Sequence, residues 1–375
     1  MRKILYLCYY SEKNNTSPAA QNKVDYIIDT LVKTGYETEI VSAEIDSDVK
    51  AKGEKKEIRK GVTLKTFDCL SNGNLIKRLL RRAFLRRQLK KYLKENLTEN
   101  DKIVIYHSLG YYKLYNWIKK VTKAKILLET EEIYSDVGKT RFVTREKEIN
   151  SFKSADGYIF PTELLDKIVN VDKKPSVIIH GTYRAEKECG KPFGDGLIHI
   201  VYAGTFDPRK GGVQAAAAAA EFLPCGYHVH ILGFGTENDK KLLLKTIKDV
   251  SEKTECKVTF DGLKSGSDYV EFIQSCDIGL STQNPDAAFN GTSFPSKILS
   301  YLSNGLKVVS IKIPAVEKSA VGKDIAYYEK QTPEEIADAI KSVKINDDYD
   351  SRKLIKKLDE KFKIEIEGLL HEVEK

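Results

Sequence analysis

The stretch from Phe294 to Ser310 restricts the possible folds more than any other part of the chain. Phe294-Pro295-Ser296 opens a helix, because proline's fixed φ suits the first helical turn, where its missing N–H removes no hydrogen bond. Ile298, Leu299, Tyr301 and Leu302 recur at helical spacing, and Asn304-Gly305 supplies a left-handed stop before the apolar Val308-Val309. A loop therefore delivers a helix N-terminus, and the chain returns as a buried strand, as in an α/β layer. A helix start that faces a cleft offers free backbone N–H groups and the positive end of the helix dipole, both of which favour an anion such as a diphosphate. Lys297 adds a full positive charge to that start.

The same alternation recurs along the chain. Residues 4–10, 37–42, 102–107, 125–128, 155–162 and 176–180 have strand character, with helical segments at 19–33 and 75–94. The first strand-to-helix turn, residues 11–18, contains no glycine, which argues against the dinucleotide fingerprint and an NAD-dependent dehydrogenase. Residues 181–196 are polar and aperiodic and mark a linker. A second run of strands then starts near 199–203, 229–232, 258–262 and 277–281, separated by an alanine-rich helix at 213–222 and helices near 239–254 and 269–275. The expected domains are 1–185 and 186–349, with a terminal helix at 350–375 that packs back on the first domain.

Residues 292–310 resemble the donor-binding signature of the family 4 retaining glycosyltransferases, in which Glu-Gly-Phe-Pro leads into a helix with a second Glu eight residues after the first. Phe294-Pro295 and the segment 305–310 match, whereas Thr292 and Ser300 stand at the two glutamate positions. Residues 204–211 resemble that family's Gly-Arg-x-x-x-x-Lys-Gly element: Gly204, Lys210 and Gly211 match, while Thr205 replaces the arginine and Arg209 is a nearby substitute cation. The resemblance implies the GT-B fold, two Rossmann-like domains facing across a cleft. It further implies transfer of a sugar, with retention, from a nucleotide-diphosphate sugar to a saccharide or lipid-linked acceptor in cell-surface glycan synthesis. The donor site would comprise Gly204, Thr205, Arg209, Lys210, Gly233, Gly235, Phe260, Gly262, Thr292, Ser293, Phe294, Pro295, Ser296, Lys297 and Ser300. No DxD-type pair stands out in the second half, so no metal or cofactor is expected, and cations and helix N-termini must meet the leaving diphosphate.

Polar groups at strand ends supply the remaining catalytic candidates, His107, Glu131 and Glu132, beside Lys210. Replacement of both glutamates by Thr292 and Ser300 leaves neutral hydrogen bonds, roughly half as strong as charged ones, and points to an altered donor preference. A catalytically inactive accessory subunit is the second reading. A nucleotide-sugar epimerase is the third, because the acidic run 129–132 offers proton-transfer groups.

The formal charge of +8 fits a nucleotide or an anionic membrane surface, and no nucleic-acid-reading motif accompanies it. The basic amphipathic segment 75–94 would hold the chain peripherally on anionic lipid, each basic group contributing about 1 kcal/mol near the surface. Six cysteines without a CxxC pair or Cys/His metal spacing, and a first apolar run too short for a signal sequence, fit a cytoplasmic protein, at the inner face of the membrane if the basic segment docks there.

Overall fold

A computed structural model describes residues 2–12, 18–44, 52–70, 74–138, 143–207, 212–285, 288–345 and 349–374. The chain divides into two compact units, Met1–Thr182 with Lys361–Lys375, and Tyr183–Glu360.

The first unit is built on eight strands: β1 Arg2–Cys8, β2 Tyr36–Ser42, β3 Lys55–Arg59, β4 Val62–Lys65, β5 Lys102–Tyr106, β6 Lys125–Glu129, β7 Gly157–Phe160 and β8 Ser176–Ile178. Their order is β3-β4-β2-β1-β5-β6-β7-β8, parallel except where β3 runs antiparallel to β4. Central strands such as β1 and β5 are apolar nearly throughout because helices cover both faces of a parallel sheet. The edge hairpin β3–β4 has no counterpart in the sequence reading. Lys55-Lys56-Glu57-Ile58-Arg59 looks like a charge run because β3 is a mostly exposed edge strand, where charged side chains discourage pairing with other chains. The terminal helix Ser351–Glu372 supplies Phe362, stacked on Tyr26 at 5.7 Å.

The second unit carries β9 Ile198–Thr205, β10 Tyr227–Phe234, β11 Lys257–Gly262, β12 Ile278–Ser281, β13 Lys307–Ile311 and β14 Ile325–Tyr328, in the order β11-β10-β9-β12-β13-β14 and parallel throughout. Strand order reverses at β9, which is flanked by β10 and β12, so the crevice beyond the carboxyl ends of β9 and β12 is the expected ligand position of this sheet. The alanine-rich segment is a short α-helix, Val213–Ala218, continued as a tighter turn over Ala219–Phe222. Both sheets are Rossmann-like, as the sequence pattern anticipates.

Candidate functional site

Tyr301 fixes the helix Ser296–Ser303 onto the reversal point of the second sheet. Fully buried, its hydroxyl accepts from the Ala203 amide at 2.9 Å and donates to the Leu280 carbonyl at 3.2 Å, linking β9 to β12. Gly279 is required beneath it, since a Cβ there would stand 2.2 Å from the ring. Gly305, at φ +92°, ends the helix in the left-handed region, where glycine is favoured. Anchored at one end by Tyr301, the helix presents its first turn and Lys297 at the end of β9.

Lys297 lies against Gly204, where an added Cβ would come within 2.5 Å of its Cε, and its ammonium sits 4.1 Å from the centroid of the Tyr202 ring. The side chain is half-buried and, among the described residues, has no carboxylate partner. Burial without a counter-charge lowers its pKa to about 8. Gly233, at φ +140°, brings β10 so close that a Cβ would lie 1.7 Å from the Gly204 carbonyl oxygen. The strand ends therefore pack backbone on backbone beside the Lys297 ammonium.

The other described donor candidates lie on or after the strands β9, β10 and β11 and on the approach to the helix Ser296–Ser303 or within it. Thr205 accepts the Tyr202 hydroxyl on its carbonyl at 2.8 Å, and its side chain accepts from the Asp207 amide at 3.2 Å. Phe260 meets buried Phe206 edge-on at 5.7 Å, and Gly235 packs on Phe206 from another side. Gly262 borders open space. Thr292, Ser293 and Phe294 are half-buried, Pro295 caps the helix and Ser296 is exposed. Ser300, at the second glutamate position, is hydrogen-bonded to the Tyr269 hydroxyl at 3.0 Å. Arg209 and Lys210 lie outside the described residues. A cavity of about 550 Å³ beside this region shares Phe206 and is bounded by Val213, Asp239, Asn284 and Gln331, but not by Lys297.

In the first unit His107, expected from the sequence as a catalytic candidate, is buried and hydrogen-bonded on both ring nitrogens. The side chain is 1 % exposed; Nδ1 is 2.7 Å from the Tyr115 hydroxyl and Nε2 is 2.8 Å from Glu148, itself fully buried. Glu148 also accepts the Tyr134 and Ser135 amides at 2.8 and 3.0 Å. Burial lowers the His107 pKa and opposes the Glu148 charge, but the bonds from His107 and Ser135 outweigh that penalty and hold Glu148 below its ordinary value. Through Glu148, the buried imidazole fastens the turn at Tyr134 and Ser135. Glu131 binds Lys23 at 2.5 Å, and Lys23 also donates to the Ile179 carbonyl at 3.0 Å. Glu132 is half-buried. Glu129, part of the acidic run but not one of the named catalytic candidates, is fully buried, accepts the Tyr6 hydroxyl and has an unpartnered Oε1. Burial, then the Glu131 charge, raises its pKa to about 8. Its place directly after the apolar run Ile126-Leu127-Leu128 was the available signal.

A second cavity, about 770 Å³, opens in the first unit over stacked Tyr9 and Tyr111, whose centroids are 4.9 Å apart. Arg82 and Arg86 line it, both exposed and, among the described residues, without a carboxylate partner.

Residues 198–345 match the family model described as Glycosyl transferases group 1. No curated protein sequence matches the chain. Solved structures match its whole length at low identity. An E. coli trehalose-6-phosphate structure bound with UDP-2-fluoro glucose is 11 % identical, with TM-score 0.68, covering 100 % of this chain and 99 % of that one. A UDP-forming α,α-trehalose-phosphate synthase from Burkholderia xenovorans in complex with glucose-6-phosphate is 12 % identical, with TM-score 0.69 and 100 % of both chains covered. Sucrose-phosphate synthase from Thermosynechococcus elongatus is 12 % identical, with TM-score 0.69, covering 100 % of this chain and 99 % of that one. The chain therefore has the GT-B fold, and residues 198–345 of its second unit match the glycosyl transferases group 1 model.

Proposed function

We propose that the chain transfers a sugar, with retention, from a nucleotide-diphosphate sugar held by its second unit to a saccharide or lipid-linked acceptor held by its first. The observation that carries this reading is Lys297: a half-buried ammonium with no counter-charge among the described residues, set on Tyr202 at the strand-order reversal and on the first turn of a helix. In departure of the nucleotide, negative charge grows on the diphosphate, and a cation and helix amides already in place stabilise it without reorganising. Thr292 and Ser300 bring no carboxylate to the sugar and ribose positions, so neutral contacts select the donor. The printed ligand UDP-2-fluoro glucose of one structural neighbour makes UDP-sugars the first donors to test.

On the acceptor side, Arg82 and Arg86, which have no carboxylate partner among the described residues, stand above an aromatic floor and suit a saccharide bearing a phosphate or other anionic group. The helix Leu75–Asn96 continues from that cavity with Leu75, Ile76, Leu79 and Leu80 all more than half exposed among basic residues, which suits an anionic lipid surface.

The test is a thermal-shift screen of UDP-, GDP- and other nucleotide sugars, followed by assay of nucleotide diphosphate release with and without acceptors. Donor-dependent stabilisation and acceptor-dependent release support the transferase. The neutral Thr292 and Ser300 favour one second reading, an inactive accessory subunit, for which no acceptor elicits release. If Lys297→Met binds the donor as tightly as the unaltered chain, the proposed diphosphate site is wrong.

A further inference from the structure

Three of the six histidines of the chain converge on one face of the second sheet. His228 and His230 stand two residues apart on β10 and so point to the same side, and the parallel register pairs His228 with His199 on β9. One nitrogen from each ring lies within 4.8 Å of the others, with His199 Nδ1 and His230 Nε2 at 2.9 Å. The ring centroids are 3.8, 5.2 and 5.5 Å apart.

The far nitrogens of two rings are already held. Asp195 lies 2.9 Å from His199 Nε2, and Asp261 lies 3.1 Å from His230 Nδ1. A carboxylate behind an imidazole fixes its tautomer and aims the opposite lone pair, the arrangement that commonly backs histidine metal ligands. Phe193 stacks on His199 at 4.1 Å and Phe272 meets His230 edge-on at 5.2 Å, giving apolar walls, while the half-buried His228 leaves an entry from solvent.

We propose that His199, His228 and His230 bind one divalent transition-metal ion of the zinc class, with solvent completing a tetrahedron on the open side. An all-imidazole donor set suits Zn²⁺, Ni²⁺ and Cu²⁺ rather than Mg²⁺ or Ca²⁺. Metal–nitrogen distances of about 2.0–2.1 Å place tetrahedral ligand nitrogens roughly 3.3 Å apart, so the His199 and His230 nitrogens separate slightly as the proton between them leaves and the His228 ring adjusts from its place within 4.8 Å of them. The site lies toward the start of β9, whereas Gly204 and Lys297 meet near its end, about 16 Å along the strand at roughly 3.3 Å per residue. The ion is therefore a clamp between β9 and β10 and stands apart from the sugar chemistry.

The test uses the full, untagged chain stripped with chelator and titrated with Zn²⁺ alone, reading bound metal per chain by elemental analysis and the melting temperature. One ion per chain and a rise in melting temperature are expected, with His228→Ala weakening uptake about tenfold or more and His371→Ala leaving it unchanged. Absorption of the Co²⁺-loaded chain should show tetrahedral bands without thiolate charge transfer. A thiolate band would assign the ion to the exposed Cys189 or Cys225 and overturn the proposal. Absent or sub-stoichiometric uptake, or uptake indifferent to His228→Ala, would overturn it equally. Should that variant fail to fold, the cobalt spectrum of the unaltered chain decides alone.

Discussion

Lys297 is held charged at a cost to the unliganded protein. Its pKa falls from 10.5 to about 8 because burial penalises the ammonium. The sign follows: between those values the unfolded chain binds the proton that the folded chain has released, so stability from this group rises with pH over that interval. Lys297→Met removes the buried charge while keeping the volume. It should raise the unfolding free energy by about 1–2 kcal/mol, seen as a higher melting temperature, and weaken nucleotide-sugar binding about tenfold to a hundredfold, measured by thermal shift and calorimetry. Donor affinity of the unaltered chain should decline as pH rises through about 8, where the ammonium is lost. A flat affinity profile from pH 7 to about 9 would disconnect the diphosphate from this group. Gly233→Ala belongs at the same scale: with φ at +140° and the Gly204 carbonyl in the way, it should cost about 2–4 kcal/mol by denaturant unfolding.

Elements decide what single residues cannot. The sequence marks the ends of the helix Ser296–Ser303 through proline and glycine, but the hydroxyl of Tyr301 aims it, using partners on β9 and β12 that lie 98 and 21 positions away. His107 shows the converse. At a strand end it has the appearance of a catalytic group, and only the packing of Tyr115 and Glu148 against it reveals a buried brace. Glu148→Ala should therefore destabilise the first unit by about 3–5 kcal/mol, since it strands His107 and two turn amides, while leaving the Michaelis constant for donor unchanged in the folded fraction. Stability supplied by the Glu148 carboxylate is present above its ordinary unfolded value of 4.5 and is lost as pH falls through its depressed folded value. In the helix Leu75–Asn96, Leu85, Leu89 and Leu93 are buried whereas Leu79 and Leu80 are exposed. The double variant Leu79→Glu with Leu80→Glu should thus abolish co-sedimentation with anionic vesicles without moving the melting temperature by more than about a degree.

For the molecule as a whole, the decisive experiment separates a transferase from a silent relative. Release of nucleotide diphosphate should require both donor and acceptor, and the epimerase alternative requires sugar interconversion with donor alone. Against that alternative, Glu131 is neutralised by Lys23, and Glu129 is fully enclosed. The order of strands and helices was legible because parallel sheets covered on both faces demand apolar runs of fixed length separated by turn residues, a pattern local in sequence. Phe294-Pro295, the helix after it and the glycine stop were legible for the same reason, as was Lys297 on its first turn. The exposed hairpin β3–β4 was not, since an edge strand buries little and carries charges that resemble a loop. Nor were the burial of His107 or the meeting of His199, His228 and His230. Periodicity along the chain settled which elements form; strand order and register, which join residues far apart in sequence, decided which side chains share a site.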